Sequence, residues 1–115
     1  MINALSTEEW AVVALSALAQ GTRLSVFRML VQAGPGGMVA GAIAQAANVP
    51  PSTMSSHLGI LERAGLAESE RESRLIHYRA DYSGMRRLLT FLMQDCCQGA
   101  PEMCSELLDN LICNP

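Results

Sequence analysis

The chain has 115 residues, half of them apolar, with eight arginines, no lysine and a formal net charge of −3. That length is one domain's worth with little core to spare, so pairing of two copies would help it. No apolar run approaches the ~18 residues of a membrane span. Ala11–Ala19 is broken by Ser16 and preceded by Glu8 and Glu9 rather than by basic residues, which argues against a signal peptide and predicts a cytoplasmic protein with no membrane partner.

All eight arginines lie between Arg23 and Arg87, where five carboxylates accompany them for a local +3, while the flanks hold six carboxylates and no basic residue. A basic middle between acidic ends points to a polyanionic partner for the middle alone.

Ser6-Thr7-Glu8-Glu9 fits a capping box, with Ser6 as N-cap and Glu9 reaching back to it. The helix it opens carries Trp10, Val13, Ala14, Ala17 and Leu18 at helical spacing. After Gln20-Gly21-Thr22 a second helix turns Leu24, Phe27, Leu30 and Val31 inward and Arg23 and Arg28 outward, until Gly34-Pro35-Gly36-Gly37 ends it. A small-residue helix over about 39–47 is built on Val39, Ile43 and Ala46. Asn48-Val49-Pro50 then makes a short turn, and Pro51 opens the next helix at the position where its missing N–H costs nothing. That helix, Pro51 to Ala64, buries Met54, Leu58 and Leu61 and exposes Ser52, Thr53, Ser55 and Ser56, with His57 at the border, before Gly65 stops it. Two short helices joined by a tight turn, the second opening on hydroxyl side chains, read as a helix-turn-helix.

Leu66–Arg71 and Arg74–Ala80 read as two strands, the second alternating Ile76, Tyr78 and Ala80 against Leu75, His77 and Arg79. A hairpin directly after a recognition helix is a wing, and its polar tip would place Arg71 and Arg74 beside phosphates or in the adjacent minor groove. Such contacts supply affinity and register, while groove-facing side chains read bases. The last helix starts near Ser83 and sets Met85, Leu88, Leu89, Leu92 and Met93 on one stripe that continues to Cys96. Apolar faces on the first and last helices predict a two-fold dimer, which also suits a palindromic DNA site.

The predicted fold class is therefore mainly α with a small β-hairpin, a winged helix-turn-helix forming one domain over 1–115. Dimerisation helices fall at about 6–19 and 83–97, the helix-turn-helix at about 39–64, the wing at about 66–80 and a thiol-rich tail at 96–115. Double-stranded operator DNA is the expected partner, met by Ser52, Thr53, Ser55, Ser56, His57, Arg71 and Arg74. No constellation for nucleophilic or acid–base catalysis is visible, so no enzyme is expected.

Ala17-Leu18-Ala19-Gln20-Gly21-Thr22-Arg23-Leu24, Pro51-Ser52-Thr53-Met54-Ser55-Ser56-His57-Leu58, Leu61-Glu62-Arg63-Ala64-Gly65-Leu66 and Ile76-His77-Tyr78-Arg79, in this order, resemble the ArsR/SmtB metalloregulatory repressors. The resemblance spans roughly residues 10 to 95. It implies a homodimeric repressor that holds its operator when metal-free and leaves when an inducer binds. The departures carry information too. Val39 and Gly41 stand where arsenic-sensing members place a Cys-x-Cys pair. His57 and His77, the only histidines, are far from Asp95, so the zinc-type site of the last helix is absent. Ser56 replaces a frequent arginine, and Pro50 the usual capping serine.

The remaining sensor candidate is Asp95-Cys96-Cys97-Gln98-Gly99-Ala100-Pro101-Glu102-Met103-Cys104. Thiolates favour soft, thiophilic ions, and Cys96, Cys97 and Cys104 without an imidazole suit a three-coordinate pyramidal centre. With the resemblance, this points to arsenite or antimonite as inducer and to arsenical resistance as the setting. Side chains of adjacent helical residues diverge by ~100°, so Cys96 and Cys97 converge only where the helix stops, as Gly99 and Pro101 require. Three other readings stay open: packing thiols, a redox-responsive repressor that forms a disulfide, and a cadmium, lead or zinc sensor using Cys113 as fourth thiolate.

Overall fold

The computed structural model describes residues 5–94. Cys96, Cys97, Cys104 and Cys113, with the end of the predicted last helix and the thiol-rich tail, lie outside the described residues.

Helix α1 (Thr7–Leu18) opens on the predicted capping box. The Glu9 amide donates to Ser6 Oγ at 3.1 Å, and the Ser6 amide donates to Glu9 Oε1 at 3.0 Å. These bonds, the Ser6 backbone N–H first, hold the Glu9 carboxyl below its ordinary pKa. Helix α2 (Gly21–Ala33) leaves α1 at 99°. Its N-cap is Gln20, whose Oε1 accepts the Arg23 amide at 2.8 Å. Gly34, at φ +80°, ends α2, its amide shared between the Leu30 and Val31 carbonyls.

Strand β1 (Met38–Val39) pairs antiparallel with Tyr78 and His77. This corrects the sequence reading, which placed Val39 in a helix and foresaw two strands. A two-residue strand shows no alternation, and its partner lies some forty positions away, so no local signal announces it. The chain reaches that partner because Gly37, at φ +68°, passes so close to the Tyr78 carbonyl that a Cβ would collide with it.

Helix α3 (Ala40–Ala47) ends at Asn48 in the left-handed conformation, φ 56°, a geometry asparagine tolerates better than most residues. Helix α4 (Pro51–Arg63) starts on proline and buries Met54, Leu58 and Leu61, the expected inward set. Gly65 follows at φ +79°. Strands β2 (Ala67–Glu72) and β3 (Leu75–Ala80) pair with Glu72 opposite Leu75, so Ser73-Arg74 is a two-residue turn. Ser73 has φ 62°, a positive first central angle that matches the twist of the hairpin. The sheet order is β1-β3-β2. Asp81 caps helix α5 (Tyr82–Met93) by accepting the Gly84 amide at 3.1 Å.

The core is built from Trp10, Val26, Leu30, Ile43, Met54, Leu58, Leu61 and Leu66, all fully buried. Three inward assignments shift by one or two positions. Val13 and Leu24 face outward, Ala11 and Val26 being buried in their stead, and Ala44 rather than Ala46 is buried on α3. A neighbour on a helix is only ~100° away, so an apolar-rich helix has several sectors able to face inward, and the packing partners choose. No single helix among the described residues is long and apolar enough to cross a membrane.

Candidate nucleic-acid interface

Helix α4 is amphipathic in a particular way. Its buried face is anchored by Met54, Leu58 and Leu61, while Ser52, Thr53, Ser55 and Ser56 are all exposed and His57 is half-buried. Short hydroxyl side chains on a protruding helix let the backbone approach another surface closely and offer both donors and acceptors. Of these hydroxyls only Ser56 Oγ meets a backbone carbonyl, that of Ser52, at a long 3.5 Å. The structure therefore groups four predicted residues on one open face and sets His57 at its edge.

The wing is sorted by its register. Glu68, Glu70 and Glu72 stand opposite Arg79, His77 and Leu75, so these six residues share one face of the hairpin. Arg79 lies across two of the glutamates, with Nε 2.7 Å from Glu68 Oε1 and Nη1 3.3 Å from Glu70 Oε1. These hydrogen bonds raise its pKa further, Glu68 contributing most. His77 Nε2 is 4.0 Å from Glu72. The other face carries Ala67, Ser69 and Arg71 opposite Ala80, Tyr78 and Ile76. It is the face turned to α4, because Ser69 Oγ donates to Glu62 Oε2 at 2.7 Å. Arg71 thus belongs to the α4 side of the wing, Arg74 sits in the turn, and both are exposed and outside the ion pairs found among the described residues. The acidic row points away.

Four ties hold α4 and the wing in place. Trp10 Nε1 donates to the Ala64 carbonyl at 2.9 Å, joining α1 to the end of α4. Arg87 of α5 lies 4.3 Å over the same indole ring. Tyr78 packs beneath the wing, where burial, and secondarily the Glu62 charge, raise its phenol pKa. The fourth tie, from Arg23 to His57, was not legible in the sequence, which placed Arg23 outward. The Arg79 clamp was legible in principle, since once the two-residue turn is located the register puts Arg79 opposite Glu68. No group of three His, Cys, Asp or Glu side chains able to hold a metal ion occurs among the described residues, which contain none of the four cysteines.

A hydroxyl-faced helix set behind a tight turn and followed by a hairpin defines a winged helix-turn-helix protein. Residues 18–70 match the model of a helix-turn-helix domain family. The NolR structure from Sinorhizobium fredii is 31% identical, with a TM-score of 0.60 over 76% of this chain and 84% of that one. A homodimeric winged helix-turn-helix DNA-binding domain from Mycobacterium bovis, described as a possible ArsR-family transcriptional regulator, is 29% identical, with a TM-score of 0.61 over 76% of this chain and 80% of that one. A possible transcriptional regulator for arsenical resistance is 26% identical, with a TM-score of 0.62 over 69% of this chain and 79% of that one. No curated protein matches the sequence. The chain belongs to the ArsR family of winged helix-turn-helix transcriptional regulators.

Proposed function

We propose that this regulator is a homodimeric repressor that reads operator DNA with α4 and is released by trivalent arsenic or antimony on Cys96, Cys97 and Cys104. The observation that carries the DNA-binding part is the common orientation of unlike groups. The Ser52, Thr53, Ser55 and Ser56 face of α4 and Arg71 of the wing lie on one side, while Glu68 and Glu70 are turned away and tied down by Arg79. A duplex entering there meets donors and cations without facing the acidic row. Ser52, Thr53, Ser55 and Ser56 approach base edges, and Arg71 and Arg74 approach phosphates.

Dimerisation is supported by apolar side chains left outside the core. Val12 and Leu15 of α1 are 59% and 41% exposed, and Leu89 and Leu92 of α5 are each 50% exposed. Each pair is spaced i, i+3, so it lies on one helical face. Two-fold pairing of α1 and α5 would cover them and set two α4 helices about one DNA turn apart. The homodimeric relative has the same architecture.

The inducer reading rests on the sequence. Three thiols crowd residues 96–104, and the family's cysteine pair before the recognition helix is replaced by Val39 and Gly41. A related chain described as a possible regulator for arsenical resistance supports it. Chelation just beyond α5 would strain the dimer face, and the inducer can weaken DNA binding only as far as DNA-bound protein binds inducer worse, typically by ~1–3 kcal/mol.

Fluorescence anisotropy of the full chain on its own promoter fragment tests each part. Arsenite is expected to release the DNA, and serine at Cys96, Cys97 or Cys104 to abolish the release. Arsenite leaving the complex intact refutes the arsenic reading. Release by peroxide alone would establish the redox alternative, and release by cadmium, lead or zinc dependent on Cys113 the four-thiolate one. Replacing both Arg71 and Arg74 with alanine should flatten the slope of log K against log salt by about 1.8, two phosphate contacts at ~0.9 each.

A further inference from the structure

Arg23 occupies the third position of α2 and reaches two other helices. Its Nε donates to the Ala17 carbonyl in the last turn of α1 at 2.7 Å, and its Nη1 lies 3.3 Å from His57 Nδ1 on α4. A guanidinium has five N–H donors and no acceptor, so the ring nitrogen facing it must be the acceptor. A neutral imidazole with its lone pair on Nδ1 carries its proton on Nε2. A doubly protonated ring has no lone pair to offer and would set a second cation against the guanidinium. Among the described residues Nε2 has no hydrogen-bond partner, and no buried side-chain nitrogen or oxygen is left unpaired, so Nε2 is open to solvent. His57 lies one turn beyond Thr53 and next to Ser56, at the margin of the exposed face of α4. The margin of a helix lying in a groove is where the sugar-phosphate backbone passes.

We propose that Arg23 is a positioning residue that holds His57 as a neutral Nε2–H donor to a backbone phosphate of bound DNA. The inference rests on the DNA-binding reading given above. The same guanidinium grips the end of α1, so the placement of this donor follows the helix assigned to the dimer interface. Arg23 does its work from behind the ring and makes no phosphate contact of its own.

Salt dependence separates this arrangement from its rivals. A neutral donor releases no counterion, whereas each cation on a phosphate adds about 0.9 to the slope of log K against log salt. With full-length protein and its promoter fragment, at a pH well above the ordinary histidine range, His57→Leu is expected to weaken binding roughly ten-fold and leave the slope unchanged. Arg23→Met is expected to weaken binding, again at unchanged slope. Two-bond proton–nitrogen NMR of histidine-labelled protein should show a single Nε2–H tautomer for His57, assigned by its loss in His57→Leu, and a tautomer mixture in Arg23→Met.

A slope lowered by about 0.9 in Arg23→Met would make Arg23 itself the phosphate contact, and the same change in His57→Leu would make the ring a cation. Either result overturns the proposal, as does an Nδ1–H or mixed tautomer in the wild-type protein. Should Arg23→Met lose its fold by circular dichroism, the wild-type spectrum and His57→Leu still decide. If the wild-type protein shows no salt-dependent DNA binding, the DNA-binding reading and the donor role fall together, while the spectrum alone judges the Arg23–His57 pair.

Discussion

Trp10 is the one tryptophan of the chain, and its replacement by phenylalanine tests how α1 fixes the end of α4. The indole is 1% exposed, its Nε1 donates to the Ala64 carbonyl at 2.9 Å, and Gly65 packs against the same ring edge. Phenylalanine fills the six-membered ring's space and removes the N–H. A buried carbonyl left without its donor costs ~1–3 kcal/mol. The missing part of the indole leaves a void of roughly 40 Å³, which at ~24 cal/mol per Å³ adds about 1 kcal/mol. Arg87, 4.3 Å above the ring, would find a phenyl face in its place, so that term changes little. The expected loss is about 2–4 kcal/mol, a large part of the ~5–15 kcal/mol that holds an ordinary domain folded. Urea unfolding followed by far-ultraviolet circular dichroism measures it without the lost fluorophore. The midpoint should fall by roughly 1–2 M at unchanged slope for a slope near ~2 kcal/mol/M. A loss below about 1 kcal/mol would refute the reasoning, because it would mean that the Ala64 carbonyl is readily resatisfied by water.

Other changes probe the remaining ties. Ser6→Ala should cost ~1 kcal/mol by removing the α1 cap. Because the Glu9 pKa is depressed in the folded chain, its stabilisation is present above the ordinary glutamate range and lost as pH falls through the folded value. Thermal melts across that acid range should show this dependence in the wild type and a weaker one in Ser6→Ala, which loses the Ser6 hydroxyl but keeps the backbone N–H that lowers the Glu9 pKa most. Gly84→Ala should destabilise by ~1–3 kcal/mol or more, since its Cβ would collide with the Gly65 carbonyl. Gly41→Ala in open space on α3 should be neutral or stabilising by up to ~1 kcal/mol, and calorimetry compares the two. The Tyr78 phenol has a raised pKa, so its contribution is full below the unfolded value near ~10 and is lost as pH rises through the folded one. Tyr78→Phe should therefore resist alkaline unfolding better than the wild type when stability is followed upward from neutral pH.

What could be read from sequence had a local cause. The Ser6–Glu9 capping box, Pro51 at the start of α4 and Gly65 at its end are set by the geometry of helix termini. The inward set Met54, Leu58 and Leu61 left the hydroxyls of α4 no direction but outward. Elsewhere the signal was ambiguous. Helix α1 is apolar on several sides, so Val13 and Ala11 were interchangeable until α4 and α5 packed against it. In sequence, β2 carries three glutamates, Glu68, Glu70 and Glu72, with no indication of which way they face. Only the pairing with β3 shows that Glu68 and Glu70 share the face of Arg79, opposite the face of Arg71.

The thiol cluster marks one boundary, since Cys96, Cys97, Cys104 and Cys113 lie outside the described residues and their role is argued from sequence. The sequence by itself determined the helical elements, the hairpin and the outward hydroxyl face, because periodicity, caps and turn residues act within a few positions of one another. The tertiary structure decided β1 on β3, Trp10 on Ala64 and Arg23 on His57, because each joins residues 34 or more positions apart. Such pairs leave no spacing in the chain; they exist only once the core has brought their helices and strands together.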